Sequence, residues 1–103
     1  MSAKPVYTLR LRAQSDLESI WQYSFETWGV RQADHYLRSL VARFEWLAEN
    51  PLLGKPRDDI KSGYRCFPEG QHVVFYKINQ QQIDVIGVVH QNQDIVTQLN
   101  DSH

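Results

Sequence analysis

Near the start of the chain, Leu9 and Leu11 alternate with Arg10 and Arg12. This period of two predicts a strand over residues 6–12 with one wet face. Ser15 with Glu18 three residues later has the form of a capping box, so a helix is expected to begin there. Leu17, Ile20, Trp21, Ser24 and Trp28 then share one stripe at helical spacing, and Gly29 can end the helix in a left-handed conformation. A second helix is predicted over 31–49. Its stripe is Ala33, Tyr36, Leu37, Leu40, Val41, Phe44, Leu47 and Ala48, and Asn50-Pro51 stops it.

Residues 51–63 carry Pro51, Gly54, Pro56 and Gly63 and read as a loop, long enough to suggest a function. Three strand-like runs follow, at 64–67, 72–78 and 83–90, separated by turns at Pro68-Glu69-Gly70 and at 79–82. The last run is nearly all branched and apolar, which marks a central strand. The polar tail over 91–103 is expected to be loosely held. The order is strand, helix, helix, strand, strand, strand. It predicts one α+β domain over 1–103: an N-terminal strand, a helical hairpin, then a three-stranded antiparallel meander, with both helices on one sheet face.

Charge and composition narrow the function. The net charge of −1 argues against broad nucleic-acid binding, which needs a basic surplus. Cys66 is the only cysteine, so an intramolecular disulfide is impossible and a reducing cytoplasm fits. Residues 1–6 lack a signal-peptide core, and no apolar run approaches the roughly 20 residues of a membrane span. The chain therefore reads as cytosolic and complete.

Candidate chemistry is sparse. No serine lies in a G-x-S-x-G turn, and Ser15 is accounted for as a cap. The four histidines show no H-x-x-x-H spacing, and a lone cysteine cannot build a thiolate metal site, so no metal or cofactor is expected. His72 and His90 could meet across neighbouring strands, most simply as surface histidines held by hydrogen bonds. Gly54-Lys55 lacks the context of a phosphate-binding loop. What remains is a positive cluster: Lys55, Arg57 and Lys61 in the loop, Arg65 after it and His90 at the last strand's end. If Arg65 and His90 share a sheet face, the group could grip phosphates or acidic side chains. The alternative is a solvated loop with ion pairs to Asp58 and Asp59. Trp21 and Trp28 read as core. Trp46 sits off the second helix's stripe and is expected to be partly covered by the first helix.

Four segments resemble the ParE toxins of the RelE/ParE superfamily: W-G-V-R-Q-A-D-H-Y-L at 28–37, L-A-E-N-P-L-L-G-K-P-R-D-D-I at 47–60, G-Y-R-C-F-P-E-G-Q-H-V-V-F-Y at 63–76 and I-D-V-I-G-V-V-H-Q-N-Q-D at 83–94. The resemblance implies the toxin of a type II toxin–antitoxin system. It further implies a ParD-like antitoxin partner that wraps the toxin and carries the complex to operator DNA, and DNA gyrase as the target. RelE-like relatives share the fold but cut messenger RNA on the ribosome, using basic residues with a histidine or tyrosine near the end of the last strand. Arg65 and His90 fall where two such groups could sit. However, the last strand carries no basic residue, and His90 is followed by the neutral Gln91-Asn92-Gln93. The resemblance therefore favours a non-enzymatic toxin. A ribonuclease, or a non-toxic partner that only co-represses its operon, are the alternatives.

Overall fold

The computed structural model describes residues 6–93. Its elements are β1 (Tyr7–Leu9), α1 (Leu11–Trp28), α2 (Val30–Glu49), a 3-10 turn (Pro51–Leu53), β2 (Lys55–Pro56), β3 (Tyr64–Glu69), β4 (His72–Asn79) and β5 (Gln82–His90). The sheet order is β1-β5-β4-β3-β2. The expected antiparallel meander is β3–β4–β5. β1 adds to it in parallel against β5, and β2 extends the other edge against β3, so the sheet is mixed and five-stranded. The loop over 51–63 thus contains a turn of helix and a two-residue strand.

Two boundaries differ from expectation for tertiary reasons. The first strand ends at Leu9 and the helix begins at Leu11, with no side-chain cap, so Ser15 lies inside α1. The Arg10 N–H still bonds the Val85 carbonyl (3.1 Å), while the Arg10 carbonyl already accepts from Gln14 N–H (3.0 Å). Early entry seals Ala13 in the core and leaves Leu11 82% exposed. Burial outweighs a local cap that contributes about 1 kcal/mol. At the other boundary, Pro68 and Glu69 extend β3, leaving a tight turn at Gly70-Gln71.

The helical hairpin turns at Gly29, whose φ of 95° suits glycine, and covers one sheet face. Leu40, Phe44 and Leu47 pack there against Val74, Tyr76, Ile83 and Val85. On the opposite face Ile60, brought over by the loop, packs with Tyr64, Phe75, Ile86 and Val89. Trp46 is partly covered, with Phe67 of β3 at 5.1 Å between centroids and Arg43 lying 4.6 Å over its ring. Trp28, expected in the core, is 59% exposed because it sits at the hairpin tip, beyond the sheet. Gln91 donates its N–H to the Gln71 carbonyl (2.9 Å), so the start of the polar tail is tied down; its remainder lies outside the described residues.

One irregularity positions the functional surface. Tyr76 faces Val85 and Phe75 faces Gly87, which leaves Ile86 as an extra residue in β5. A bulge of this kind shifts the alternation by one. Without it, Gly87 and Val89 would follow Ile83 and Val85 onto the helix face. With it, Val88 and His90 do.

Candidate functional site

The hairpin covers only part of its sheet face. Between α1, α2 and the far ends of β4 and β5 lies a cleft of about 690 Å³. Tyr23 and Trp28 stand on one wall in an edge-on contact (6.1 Å), Tyr36 of α2 on another, and His72 and His90 on the floor. A cleft of this volume with a few convergent polar groups has the form of a binding site.

The floor is organised by Tyr36. Its hydroxyl lies 2.7 Å from His72 Nδ1, accepts the Gln71 N–H (3.1 Å) and reaches the Glu69 carbonyl (3.3 Å). Gly70, with a φ of 59°, lets the turn approach this closely, since a Cβ there would meet the Tyr36 ring at 2.6 Å. Burial raises the Tyr36 hydroxyl above its ordinary range; the Gln71 N–H offsets part of that, and nearby Glu69 adds a smaller rise. His72 and His90 are register partners with rings edge-on at 5.3 Å, so the two strand-end histidines do meet. Burial first, and the neighbouring His90 second, pull His72 down to about 4, so it is neutral at physiological pH. The cleft's carboxylate, Asp16, accepts from Arg12 Nε (3.0 Å) and from the Val88 N–H (2.9 Å). That bond fastens α1 to the part of β5 beyond the reach of β1.

The residues singled out in the sequence separate into two places. Lys55, Arg57 and Arg65 are neighbours, because β2 pairs Lys55 with Cys66 and Pro56 with Arg65. Lys61 is exposed farther along the loop. Arg57 forms a two-pronged ion pair with Asp59 (2.9 Å for both bonds), which lowers the Asp59 carboxyl; Asp58 instead accepts the Gly63 N–H (2.9 Å). Arg65 turns inward and donates to the carbonyls of Gly54 (2.8 Å) and Leu52 (3.4 Å). His90 shares the helix face with Arg65 but lies two strands over and four residues along, about 16 Å away at ordinary strand spacings. The five residues therefore do not form one patch.

Tyr36, Asp16, Trp28 and the pairing of His72 with His90 are the features that sequence reasoning missed or undervalued. The helical stripe made Tyr36 and Trp28 look like core, and no local signal reveals the bulge that turns His90 onto this face. Among the described residues, no group of three or more metal-ligating side chains is assembled, and no helix is long and apolar enough to cross a membrane.

Comparison with known proteins follows from this geometry. Residues 7–95 match the family model described as the ParE toxin of the type II toxin–antitoxin system, parDE. The chain is 44% identical to Toxin ParE1 of Caulobacter vibrioides over 86 residues, 84% of this chain and 88% of that one. It is 41% identical to Toxin ParE1 of Mycobacterium tuberculosis over 90 residues, 86% and 92% of the two chains. Among solved structures, it resembles a chain of a chromosomal ParDE system from P. aeruginosa, with a TM-score of 0.71 and 15% identity over 86% of this chain and 98% of that one. It also resembles a chain of the RelBE2 toxin–antitoxin complex of Mycobacterium tuberculosis, with a TM-score of 0.59 and 18% identity over 86% and 100%. At those identities the structural likeness concerns the fold.

Proposed function

Because this chain belongs to the ParE toxin family of type II toxin–antitoxin systems, we propose that it arrests growth by gripping a protein target, DNA gyrase, without chemical turnover. In this reading it acts in the cytoplasm and is silenced by a ParD-like antitoxin, through which alone the complex reaches operator DNA. The observation that carries the reading is the fate of Arg65. A ribonuclease of the related type needs a cation beside its acid–base group to stabilise charge on the phosphate. Here Arg65 is spent on two loop carbonyls at the other end of the sheet from His90.

Arg65 instead shapes the loop. Together with the Tyr76 hydroxyl it fixes the turn at Pro51–Gly54, from which Leu52 projects 70% exposed beside Lys55. Lys55, Arg57 and Lys61 are the proposed contacts to acidic groups of the target, with Arg65 holding them in place. The cleft is the proposed seat of an antitoxin segment, with Tyr23 and Trp28 offering rigid aromatic walls for an apolar anchor. A segment that folds on contact can cover cleft and loop together.

A second reading draws on the neutral His72 beside His90, an acid–base pair in a cleft that also holds Arg12. It makes the chain a messenger ribonuclease. One experiment separates the two: induced expression without antitoxin, followed by supercoiling and transcript assays. Lost supercoiling, cleaved-DNA complexes and intact transcripts support the gyrase reading. Transcript cleavage that disappears with His90→Ala sinks it, and absence of any growth defect points to a non-toxic co-repressor.

A further inference from the structure

Two histidines on one cleft floor suggest a metal site, but their hydrogen bonds point elsewhere. His90 Nδ1 accepts the Asn92 N–H (3.1 Å), so its lone pair lies at Nδ1 and the neutral ring carries its proton at Nε2. The Tyr36 hydroxyl lies 2.7 Å from His72 Nδ1 and 3.3 Å from the Glu69 carbonyl; by turning its proton to Nδ1 it leaves His72 able to carry a proton at Nε2. His90 thus presents an N–H where a metal would need a lone pair, and His72 can do the same.

Neither Nε2 is hydrogen-bonded to a described residue, and among the described residues no buried side-chain nitrogen or oxygen lacks a partner. Both Nε2 atoms are therefore open to the cleft. The carboxylate already there is committed, since Asp16 serves Arg12 and the Val88 N–H. The site can offer two adjacent donors beneath aromatic walls, and among the described residues neither is hydrogen-bonded to an acceptor.

We propose that His72 and His90 seat a carboxylate: an Asp or Glu of the antitoxin segment that fills the cleft, with an apolar neighbour against Tyr23 and Trp28. The inference rests on the cleft being the antitoxin's seat. Its electrostatics make a further demand. The titratable and charged groups around the pair are Arg12, Asp16 and Tyr23 of α1, Tyr36 of α2 and Glu69 of β3, which Arg43 holds at 2.8 Å. Of the two acids, each already has an arginine partner. A newly seated carboxylate favours the imidazolium forms, so seating takes up protons and tightens as pH falls.

The test uses the full chain, labelled for histidine NMR, with indole-3-acetate as probe and indole-3-acetamide as its neutral control. The acid is expected to shift both Nε2 resonances, to bind at least about fivefold more tightly than the amide, and to tighten from about pH 8 to about pH 6. His72→Asn and His90→Asn keep an acceptor where Nδ1 was and remove Nε2, so folding is retained while the preference for the acid is lost. Equal binding of acid and amide, unmoved Nε2 resonances, or an affinity independent of pH would each overturn the proposal. In the co-expressed toxin–antitoxin complex, the same variants should weaken antitoxin binding more at the lower pH. If no complex forms, the cleft reading fails while the probe still decides whether the pair seats a carboxylate.

Discussion

The junction of Gly54 with Tyr76 offers the sharpest energetic test of how the cationic loop is held. Tyr76 is fully buried; its hydroxyl donates to the Pro51 carbonyl (2.7 Å) and accepts the Gly54 N–H (2.9 Å). Tyr76→Phe leaves both backbone groups short of a partner. At about 1 kcal/mol per lost bond, and more where the group stays buried, the expected loss is about 2–3 kcal/mol. Gly54 has an ordinary backbone (φ −72°, ψ 145°), so alanine meets no conformational objection there. Its Cβ, however, would run into the Tyr76 hydroxyl, on a ring with no room to retreat. Overpacking adds about 1–3 kcal/mol to the disturbed bonds, so Gly54→Ala should cost about 3–4 kcal/mol. The two changes act on the same atoms. Removing the hydroxyl relieves the closest part of the collision, although two ring carbons stay at 2.7 Å from the added Cβ, and the same two bonds cannot be lost twice, so the double variant should lose about 1–2 kcal/mol less than the sum of the singles. Urea unfolding followed by tryptophan fluorescence measures all four proteins. Additive losses, or a Tyr76→Phe loss below about 0.5 kcal/mol, would refute the account of the loop anchor.

Other expectations follow from the same structure. His72 is depressed to about 4 from 6.5, so its contribution is complete above about pH 6.5 and is lost as pH falls toward 4. Allowing for solvent screening at a partly exposed ring, the loss is about 1–2 kcal/mol, and His72→Asn should flatten the dependence of urea midpoint on pH. Asp16→Ala strands the Val88 N–H and takes one carboxylate partner from Arg12, and should cost about 1–3 kcal/mol in thermal unfolding, with α1 loosening from β5 in hydrogen exchange. Trp28→Ala should change stability by less than about 0.5 kcal/mol while weakening antitoxin binding about tenfold or more, as calorimetry would show. Reversing the charge at Lys55 and Lys61 should reduce growth arrest without changing the melting temperature; unchanged toxicity would remove the loop from target contact.

The periodicity of the chain by itself determined the helical hairpin, the β3–β4–β5 meander and the single-sided packing of helices on sheet. Those features depend on which residues are apolar at spacings of 3.6 and 2, and that information is local. The resemblance at 28–37, 47–60, 63–76 and 83–94 likewise led to the family that comparison shows. Only the tertiary structure decided where α1 begins, because burying Ala13 and bonding Asp16 to β5 outweigh a cap at Ser15. It also decided which cations are free to meet a partner, since the β2–β3 register turns Arg65 onto the loop's carbonyls. The cleft floor depends on it most. A one-residue bulge in β5 reverses the facing of every later side chain, and it sets His90 against His72 under Tyr36. Strand register and bulges arise from pairing between distant segments, so no stretch of this sequence encodes them alone.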